Sequence, residues 1–413
     1  MSESWRIVKE SQLLLSQRRL IEGSQREYVI TESPIDPPYL VDIFFNNNGR
    51  LVVLLSLISS RDSRKVFMAN ESEWSIREKS SSTIFQSTKV FKSEGAFSTS
   101  ILIFFDTIKK LEESFDLTRN WIPTNFTTFQ VWHFPDLTVS KPLFNSSTKF
   151  NLVASTMISD FYFRRWWLEP WIKWHRDRGV EHFIIYLNFE DCTIPRLRDW
   201  RSGQTVLFNI FDNPTSHDFW KDITLVPFYF PLSTHRSFAF QFAQKHHSIQ
   251  SFKNISVWQA HMDTDEYFFP VQSQTLDPIL LNYVNDEGVD CIAAPHVFFV
   301  DKTEKESQNI NARKSCSNSV LDCVARGEFY SNRLRRTKVI IKTENVDSIM
   351  SVHRCIRGNV PIDPTILRLN HYKLNCTYWE GVTNIIYDDS GIEYSNITYD
   401  DSAIKYIPCT TQI

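Results

Sequence analysis

Two aspartates two positions apart, Asp263 and Asp265, are the residues of this chain best suited to bind a metal ion. They stand in HMDTDEYFFP (261–270), at the end of the apolar stretch SVWQAHM (256–262), which we predict to be a strand. A turn at the end of a buried strand aims both carboxylates into a crevice. Hard oxygen ligands of this kind suit Mn²⁺ or Mg²⁺. The spacing therefore predicts a divalent metal site at residues 263–265.

The residues after the two aspartates separate this D-x-D string from an ordinary solvated turn. Glu266 comes next, and the aromatic run Tyr267, Phe268 and Phe269 ends at Pro270. A solvated turn has no need of aromatic side chains on this scale, because apolar surface is stabilising when it is buried. The context therefore favours a functional site.

The composition excludes two common ways of binding a nucleotide. The ten glycines lie at least ten positions apart, so neither a G-x-G-x-x-G loop nor a Walker A loop is present. Forty-five basic residues stand against 48 acidic ones, a net charge of −3, which argues against a nucleic-acid partner. A protein that handles a nucleotide without such a loop has to neutralise the phosphates differently, and a metal ion does this.

Alternating strands and helices must position these residues from residue 150 onwards. We predict strands at 151–158, 182–188, 204–210 and 256–262, and helices at 170–178 and 233–248. This α/β order favours a Rossmann-like, mainly parallel sheet with helices on both faces. Ligands of such sheets bind beyond the carboxyl ends of the strands, where Asp263 and Asp265 are expected.

Residues 1–149 are predicted to be a separate β-rich domain without a catalytic constellation, and residues 150–413 the functional domain. Short β-prone stretches alternate in the first part with Ser, Asn and Pro clusters. These stretches are Tyr28–Thr31, Leu51–Ser59, Ser100–Phe105 and Phe126–His133. Residues 136–149 are the best linker candidate.

Seven cysteines and six N-x-[ST] sequons are compatible with a secretory compartment and with disulfides. The alternative, a cytosolic chain with reduced thiols and unused sequons, stays open at this point. The cysteines form no C-x-x-C pair, which argues against a zinc ribbon. No apolar run reaches the ~18 residues needed to span a bilayer, and no signal peptide is evident, so we expect a soluble chain as written.

An ordered set of sequence blocks resembles glycosyltransferase family 92, over about residues 151–385. The blocks are WIKWHRDRGVEHFIIYLN (171–188), MDTDEYFFP (262–270), KVIIK (338–342), VHR (352–354) and NHYK (370–373). The resemblance implies a GT-A fold and an inverting transfer of a sugar, galactose in known members, from a UDP-sugar to a glycan acceptor. It also implies a location in the Golgi lumen. Membrane association would need an anchor that this sequence lacks.

The same resemblance implies roles for individual residues at the metal. Asp263 and Asp265 match the D-x-D and would hold Mn²⁺ against the UDP diphosphate. A histidine from the C-terminal part of the domain commonly completes such a metal site. His353 and His371 both fall on family blocks, and the sequence does not choose between them.

Further residues are expected to contact the UDP-sugar donor. Lys373 is a candidate for binding a phosphate oxygen, and Lys338 and Lys342 are weaker ones. Gln241 or Gln244 lies on a helix that would face the donor.

Two residues near the first helix match the family at its start. Glu169 and His175 flank that helix, but Pro170 interrupts the family pattern, so we expect them to anchor the first crossover.

An inverting transfer needs a general base to accept the proton of the acceptor hydroxyl. Glu328 is our first candidate, with Asp290 and Glu266 as competitors. Asp265 is assigned a catalytic role as well, because a metal ion held there stabilises the departing UDP.

Two other functions fit the same residues. One is a catalytically silent GT-A-fold protein that binds carbohydrate, and the intact D-x-D argues against it. The other is a Mg²⁺-dependent hydrolase or phosphotransferase, which would need further carboxylate clusters for two-metal chemistry.

Overall fold

A computed structural model provides the fold of the chain. It describes residues 6–7, 24–28, 39–57, 73–81, 83–94, 99–108, 115–121, 129–137, 149–159, 161–188, 222–227, 241–300, 325–327, 337–351, 353–373, 386–387, 393–394 and 397–399.

The described residues of the first part of the chain form ten strands. They are β1 (Arg6–Ile7), β2 (Ser24–Tyr28), β3 (Tyr39–Phe45), β4 (Leu51–Leu57), β5 (Glu73–Glu78), β6 (Ile84–Gln86), β7 (Lys89–Glu94), β8 (Thr99–Phe105), β9 (Phe115–Trp121) and β10 (Phe129–Leu137). Nine of them form two antiparallel sheets, an inner sheet in the order β3-β4-β8-β7 and an outer sheet in the order β2-β10-β9-β5-β6.

The second part contains the described helices together with the remaining strands. In chain order they are β11 (Phe150–Ser159), α1 (Phe161–Arg176), β12 (His182–Asn188), β13 (Ile223–Pro227), α2 (Gln241–Ser251), β14 (Ser256–His261), β15 (Glu266–Pro270), α3 (Asp277–Leu281), β16 (Cys291–Val300), β17 (Ala325–Gly327), β18 (Thr337–Lys342), β19 (Ile349–Ser351), β20 (Arg354–Cys355), β21 (Asn359–Pro361), β22 (Leu367–Lys373), β23 (Ile386–Tyr387), β24 (Glu393–Tyr394) and β25 (Ile397–Tyr399).

The central sheet is mixed, which corrects the expectation of a mainly parallel one. Its strand order is β1-β13-β12-β11-β14-β18-β16-β17-β25, and the strands from β1 to β14 are all parallel. From β18 onwards this path is antiparallel, and β21 and β22 join β16 at the side. The described residues are mostly strand with few helices, so the α/β expectation holds for the parallel part alone.

The two longer helices cover opposite faces of the parallel strands. Leu152 and Ala154 of β11 point to the face where Trp171 of α1 packs. Val153 points to the other face and packs in a cluster with Ala243 of α2. This alternation follows from the two-residue period of a strand, since both faces of the sheet are buried.

The inner N-terminal sheet packs against the α2 side of the central sheet. Val52, Leu54 and Phe104 of this sheet belong to the same apolar cluster as Val153 and Ala243. Its opposite face packs on the outer sheet. The boundary between residues 1–149 and 150–413 stays a prediction, although the two parts share this cluster.

Helix α2 is polar in sequence yet buried, because both sheets supply hydrogen-bond partners. His246 lies 2.8 Å from Ser100 Oγ through Nδ1 and 3.0 Å from Ser348 Oγ through Nε2. His247 lies 2.8 Å from Asp42 Oδ2 and 2.7 Å from the Tyr186 hydroxyl. Buried polar groups are stable only when they are paired, so these contacts dock the N-terminal sheet on α2.

Several strand boundaries follow the sequence, and the helix boundaries do not. The strand at 182–188 is confirmed, and those at 151–158 and 256–262 are confirmed to within a residue or so at each end. The first helix was predicted at 170–178, but α1 begins at Phe161 and Pro170 lies inside it. The helix predicted at 233–248 corresponds to α2, which ends at Ser251. The strand at 204–210 and residues 233–240 lie outside the described residues.

Cys291 and Cys355 form a disulfide between β16 and β20, with a Cα separation of 6.3 Å. Within the described part of the chain, no helix combines the length and the apolar character needed to cross a membrane.

Candidate functional site

The D-x-D turn lies where the strand order of the sheet reverses. Strand β11 pairs with β12 on one side and with β14 on the other, and the chain returns to β14 only after building β12 and β13. In open α/β sheets, ligands bind in the crevice at the carboxyl ends of strands at such a point. Asp263 follows the carboxyl end of β14 by two residues. We call this side of the central sheet the carboxyl edge.

The turn itself is closed by Glu266. Its backbone N–H donates to the Asp263 carbonyl at 3.1 Å, and its carboxylate accepts from the Asp263 backbone N–H at 2.8 Å. Two reciprocal hydrogen bonds fix the direction of both aspartates, because a closed turn has few alternative conformations.

Strand pairing brings His371 to this turn. Strands β15 and β22 are antiparallel, with Glu266 opposite His371. His371 Nε2 lies 3.4 Å from Asp265 Oδ2, and His371 Nδ1 lies 3.6 Å from Glu266 Oε1. Of the two histidines left open by the sequence, His371 is therefore the one beside the D-x-D. His353 instead contacts the carbonyl oxygen of Thr337 through Nδ1, at 2.7 Å.

Lys338 lies between two of the acidic side chains. Its ammonium group is 2.9 Å from Asp263 Oδ2 and 2.8 Å from Glu266 Oε2, and its side chain is 2% exposed. Burial opposes the charge on Lys338, but the two carboxylates outweigh it and raise its pKa above the usual value. Lys338 is therefore charged throughout the physiological pH range.

The pKa values of the two acids shift in opposite directions, although Lys338 lowers both. Burial raises the pKa of Glu266, whose side chain is 1% exposed, and Lys338 offsets only part of that rise. Burial also acts to raise the pKa of Asp263, but the ammonium groups of Lys338 and Lys245 hold it well below its usual range. Asp263 therefore stays a carboxylate, with a side chain that is 40% exposed.

Helix α2 contributes three polar residues to the same place. Gln241 Nε2 donates to Asp263 Oδ1 at 3.0 Å, and Gln244 Nε2 donates to the hydroxyl of Ser155 on β11 at 2.7 Å. Lys245 lies one turn after Gln241 and is buried. Its burial, with the nearby charge of Lys338, lowers its pKa to about 7.

Helix α1 holds β15 in place through side chains that bond to its backbone. Trp171 Nε1 donates to the Glu266 carbonyl and Trp174 Nε1 to the Phe268 carbonyl, both at 3.0 Å. The Phe268 N–H donates to His175 Nε2 at 3.2 Å. These three side chains bond to backbone groups of β15 that a neighbouring strand would otherwise pair with. His175 is thus an anchor, while the Glu169 side chain lies outside the described residues.

Two of the residues proposed from the sequence lie on the opposite side of the sheet. Lys342 pairs with Trp258 near the start of β14, and its ammonium group donates to the Asp286 carbonyl at 3.5 Å. Asp290 precedes β16 at that same side, where Arg357 is 3.5 Å from its carboxylate. We call this side the amino edge. Because β18 runs antiparallel to β14, only the Lys338 end of KVIIK reaches the crevice.

Two further candidates are located only in part. Lys373 is the last residue of β22, in register with Val300, and its side chain lies outside the described residues. Glu328 also lies outside them. Gly327, directly before it, ends β17, which pairs with the last residues of β16 on the side of the carboxyl edge.

His296 is a residue of this site that the sequence interpretation missed. It lies on β16, and its Nε2 is 3.9 Å from Glu266 Oε1. Its ring centroid is 5.5 Å from that of His371 and 6.0 Å from that of His353. The only signal in the sequence was a polar residue in the apolar stretch CIAAPHVFFV, and its partners come from strands far away in the chain.

No protein-family model and no curated protein matches the chain. Among solved structures, the chain is similar to the apo structure of the bifunctional glycosyltransferase WbbM, at 15% identity and a TM-score of 0.22. That match covers 40% of this chain and 26% of the other, so it spans about a quarter of WbbM. A ferredoxin-NADP⁺ reductase from Plasmodium falciparum matches at 12% identity and a TM-score of 0.14, over 56% of this chain and 79% of the reductase. At these TM-scores neither likeness supports a conclusion about fold or function.

Proposed function

We propose that the chain is a metal-dependent glycosyltransferase of the GT-A type, related to family 92. It would transfer a sugar, with galactose as the first candidate, from a UDP-sugar to a glycan acceptor with inversion. The observation on which this rests is the pairing of Asp265 with His371 at the reversal point of the strand order. That is where a nucleotide is bound in sheets of this type.

The donor atoms present fit a divalent ion. Two ligands bonded at about 2.1 Å to one ion lie about 3.0 to 3.5 Å apart. Asp265 Oδ2 and His371 Nε2 are 3.4 Å apart. The Glu266 carboxylate faces His371 Nδ1, which favours a proton on that nitrogen and leaves the Nε2 lone pair directed at Asp265. We call Asp265 and His371 the outer pair, and Mn²⁺ or Mg²⁺ is the expected ion.

Asp263 has a different task in this proposal. Its carboxylate is already engaged by Lys338 and Gln241, so it orients the turn and presents its exposed part to the donor. Lys338, and Lys245 when it is protonated, place positive charge beneath the crevice, which favours a diphosphate there. A divalent ion at the outer pair would supply the remaining charge needed to stabilise UDP as it departs.

The acceptor side requires a base, and Glu328 remains the proposed one. A carboxylate within hydrogen-bond reach accepts the proton of the attacking hydroxyl. Its neighbour Gly327 ends a strand on the side of the carboxyl edge. Asp290 does not fit this task, because it lies at the amino edge with Arg357. Glu266 does not fit it well either, since Lys338 and the turn already occupy its carboxylate.

One observation favours the silent, carbohydrate-binding alternative. Lys338 supplies an internal cation 2.9 Å from the first aspartate, and such a cation can replace a metal ion in balancing acidic charge. In that case the fold would be stable and bind a ligand without turnover.

Donor turnover separates the two functions. The full chain is incubated with Mn²⁺ and a panel of UDP-sugars, with and without glycan acceptors, and UDP release is measured. The proposed enzyme releases UDP in a manner that depends on the metal and falls at least about 100-fold in Asp265→Asn and in His371→Gln. Asp290→Asn, the matched control at the amino edge, retains the wild-type rate. UDP release without metal, or unaffected by both variants, would refute the proposal, and binding of glycans without any release would favour the silent alternative.

A location in the secretory pathway, with the Golgi lumen as the specific proposal, is supported by the Cys291–Cys355 disulfide. Disulfides persist in oxidising compartments and are rare in the cytosol. Peptide mapping of the native protein without reduction, combined with sequon occupancy by mass spectrometry, tests this. A reduced Cys291 together with unoccupied sequons would contradict it.

A further inference from the structure

We propose that Glu266, His296 and His371 form a second cation site that selects Zn²⁺. We call it the inner site, and it lies behind the outer pair, among strands β15, β16 and β22. It does not rest on the proposed transferase activity, because it concerns metal binding alone.

The geometry of three ligand atoms supports this site. One ligand atom from each residue lies within 4.8 Å of the other two. Glu266 Oε1 is 3.6 Å from His371 Nδ1 and 3.9 Å from His296 Nε2. Tetrahedral ligands of Zn²⁺ lie about 3.4 Å apart, given bonds of about 2.1 Å. Side-chain shifts of a few tenths of an ångström would therefore bring these two distances, 3.6 and 3.9 Å, to the value expected for ligands of one ion.

The strand pairing holds these ligands together without any ion. Glu266 and His371 are directly opposite each other on antiparallel strands. His296 lies on β16, the parallel neighbour of β22, two residues from Phe298, which is opposite His371. All three residues are at most 9% exposed. A site that is preformed in this way binds its ion with little loss of conformational entropy.

The chemistry of the donor set gives the selectivity. Two imidazole nitrogens and one carboxylate oxygen match zinc, whereas Mg²⁺ and Ca²⁺ prefer oxygen ligands. Two neutral histidines and Glu266 bring a single negative charge, and Lys338 holds the other oxygen of that carboxylate. Lys338 thus holds Oε2 of Glu266, which leaves Oε1 directed at the histidines.

His371 makes the two sites mutually exclusive. It faces Asp265 through Nε2 and Glu266 through Nδ1. A neutral imidazole offers a lone pair on only one ring nitrogen at a time. An ion at the inner site therefore removes the ligand that the outer pair needs, so Zn²⁺ would compete with Mn²⁺ without occupying the same position.

Metal titration of the full chain tests the inner site without any substrate. Binding of Zn²⁺ and of Mn²⁺ is measured by calorimetry for the wild type, His296→Ala, Asp265→Asn and the control His353→Ala. We expect His296→Ala to weaken Zn²⁺ binding at least about 100-fold while Mn²⁺ binding changes less than about threefold. Asp265→Asn should weaken Mn²⁺ and leave Zn²⁺, and His353→Ala should leave Zn²⁺ binding unchanged.

The wild type alone gives an independent measurement if His296→Ala fails to fold. Co²⁺ is substituted for Zn²⁺, and its visible spectrum is recorded. The inner site predicts the intense bands of a four-coordinate ion with nitrogen and oxygen ligands, which disappear in Glu266→Gln. A thiolate charge-transfer band would place the ion on cysteines and overturn the proposal. Zn²⁺ affinity that is unchanged in His296→Ala, or that falls equally in Asp265→Asn, would overturn it as well.

Discussion

The two edges of the central sheet hold similar residues in different surroundings. At the carboxyl edge, the Lys338 ammonium is buried between the carboxylates of Asp263 and Glu266. At the amino edge, Lys342 of the same strand pairs with Glu344, whose side chain is 62% exposed. Asp290 there faces Arg357, whose side chain is 84% exposed. Among these ion pairs, only Lys338–Glu266 has both side chains buried.

Burying a charge is costly unless the charge is paired. A cluster of buried charges therefore indicates a function, whereas ion pairs with an exposed partner are ordinary features of a protein surface. Each of these ion pairs at the amino edge has one exposed partner, so the pairing contributes little to stability. The charges of the carboxyl edge converge on one turn, and no simple folding advantage explains three acids and two histidines in one place. Perturbed, convergent groups in a crevice are typical of functional sites.

The largest expected effect comes from replacing one lysine at each edge by methionine. Lys338→Met leaves Glu266 buried without its cation and should lower the free energy of unfolding by about 3 to 5 kcal/mol. Lys342→Met should cost about 1 kcal/mol or less, because its ionic partner is exposed. Urea denaturation of both variants measures the difference. Equal losses would mean that the two edges do not differ as described.

The two edges should lose stability over different pH ranges. Burial lowers the pKa of His175 and of His353 to about 3, so the folded protein keeps both neutral. An unfolded chain protonates them below about pH 6.5, so it binds more protons between pH 6.5 and 3. Stability therefore falls as the pH drops through that window, by up to about 1.4 kcal/mol per pH unit for each histidine.

Asp347, which pairs with Lys253 shortly before the start of β14, should respond only at lower pH. Lys253, Arg50 and Lys89 outweigh the effect of burial and lower the pKa of Asp347. The stability that it contributes is present above about pH 4 and is lost as the pH falls through its folded pKa. Urea midpoints at several pH values check both windows. His175→Gln should reduce the slope above pH 4, and Asp347→Asn only the slope below it; the reverse pattern would contradict this assignment.

A smaller effect is expected from the anchor of the D-x-D segment. Trp171→Phe removes the N–H that satisfies the Glu266 carbonyl, which should cost about 1 to 3 kcal/mol. It should also weaken Mn²⁺ binding, because the turn that presents Asp265 loses support. Thermal melts with and without Mn²⁺ measure both effects. A variant with unchanged melting and unchanged metal response would show that α1 does not position the turn.

The smallest effect belongs to the amino edge. Arg357→Ala removes an arginine whose side chain is 84% exposed, so we expect a change in unfolding free energy within about 0.5 kcal/mol. The same urea denaturation applies. A loss above about 2 kcal/mol would mean that the amino edge is held together by charge after all.

The sequence was informative where local pattern decides the structure. Asp263 and Asp265 after a predicted strand, and the strand at 182–188, follow from runs of apolar residues. The start of α1 was missed, because Pro170 indicates a first turn and here lies inside a longer helix. A proline is tolerated there when tertiary packing on both sides holds the helix.

Other features could not be read from one sequence, because they depend on long-range strand pairing. The direction of β18 decides that Lys338 and not Lys342 reaches the crevice. His296 meets Glu266 only because β22 lies between their strands in the sheet. Such register is set by the whole hydrophobic pattern of a sheet and by no local signal.

Calorimetric titration with Mn²⁺ in the presence of UDP tests the central claim most directly. It compares the wild type with the same substitution, aspartate to asparagine, made once at each edge. Asp265→Asn should weaken Mn²⁺ binding at least about tenfold, and Asp290→Asn should leave it unchanged. Equal Mn²⁺ affinity in the wild type and Asp265→Asn would contradict a cation site at the carboxyl edge.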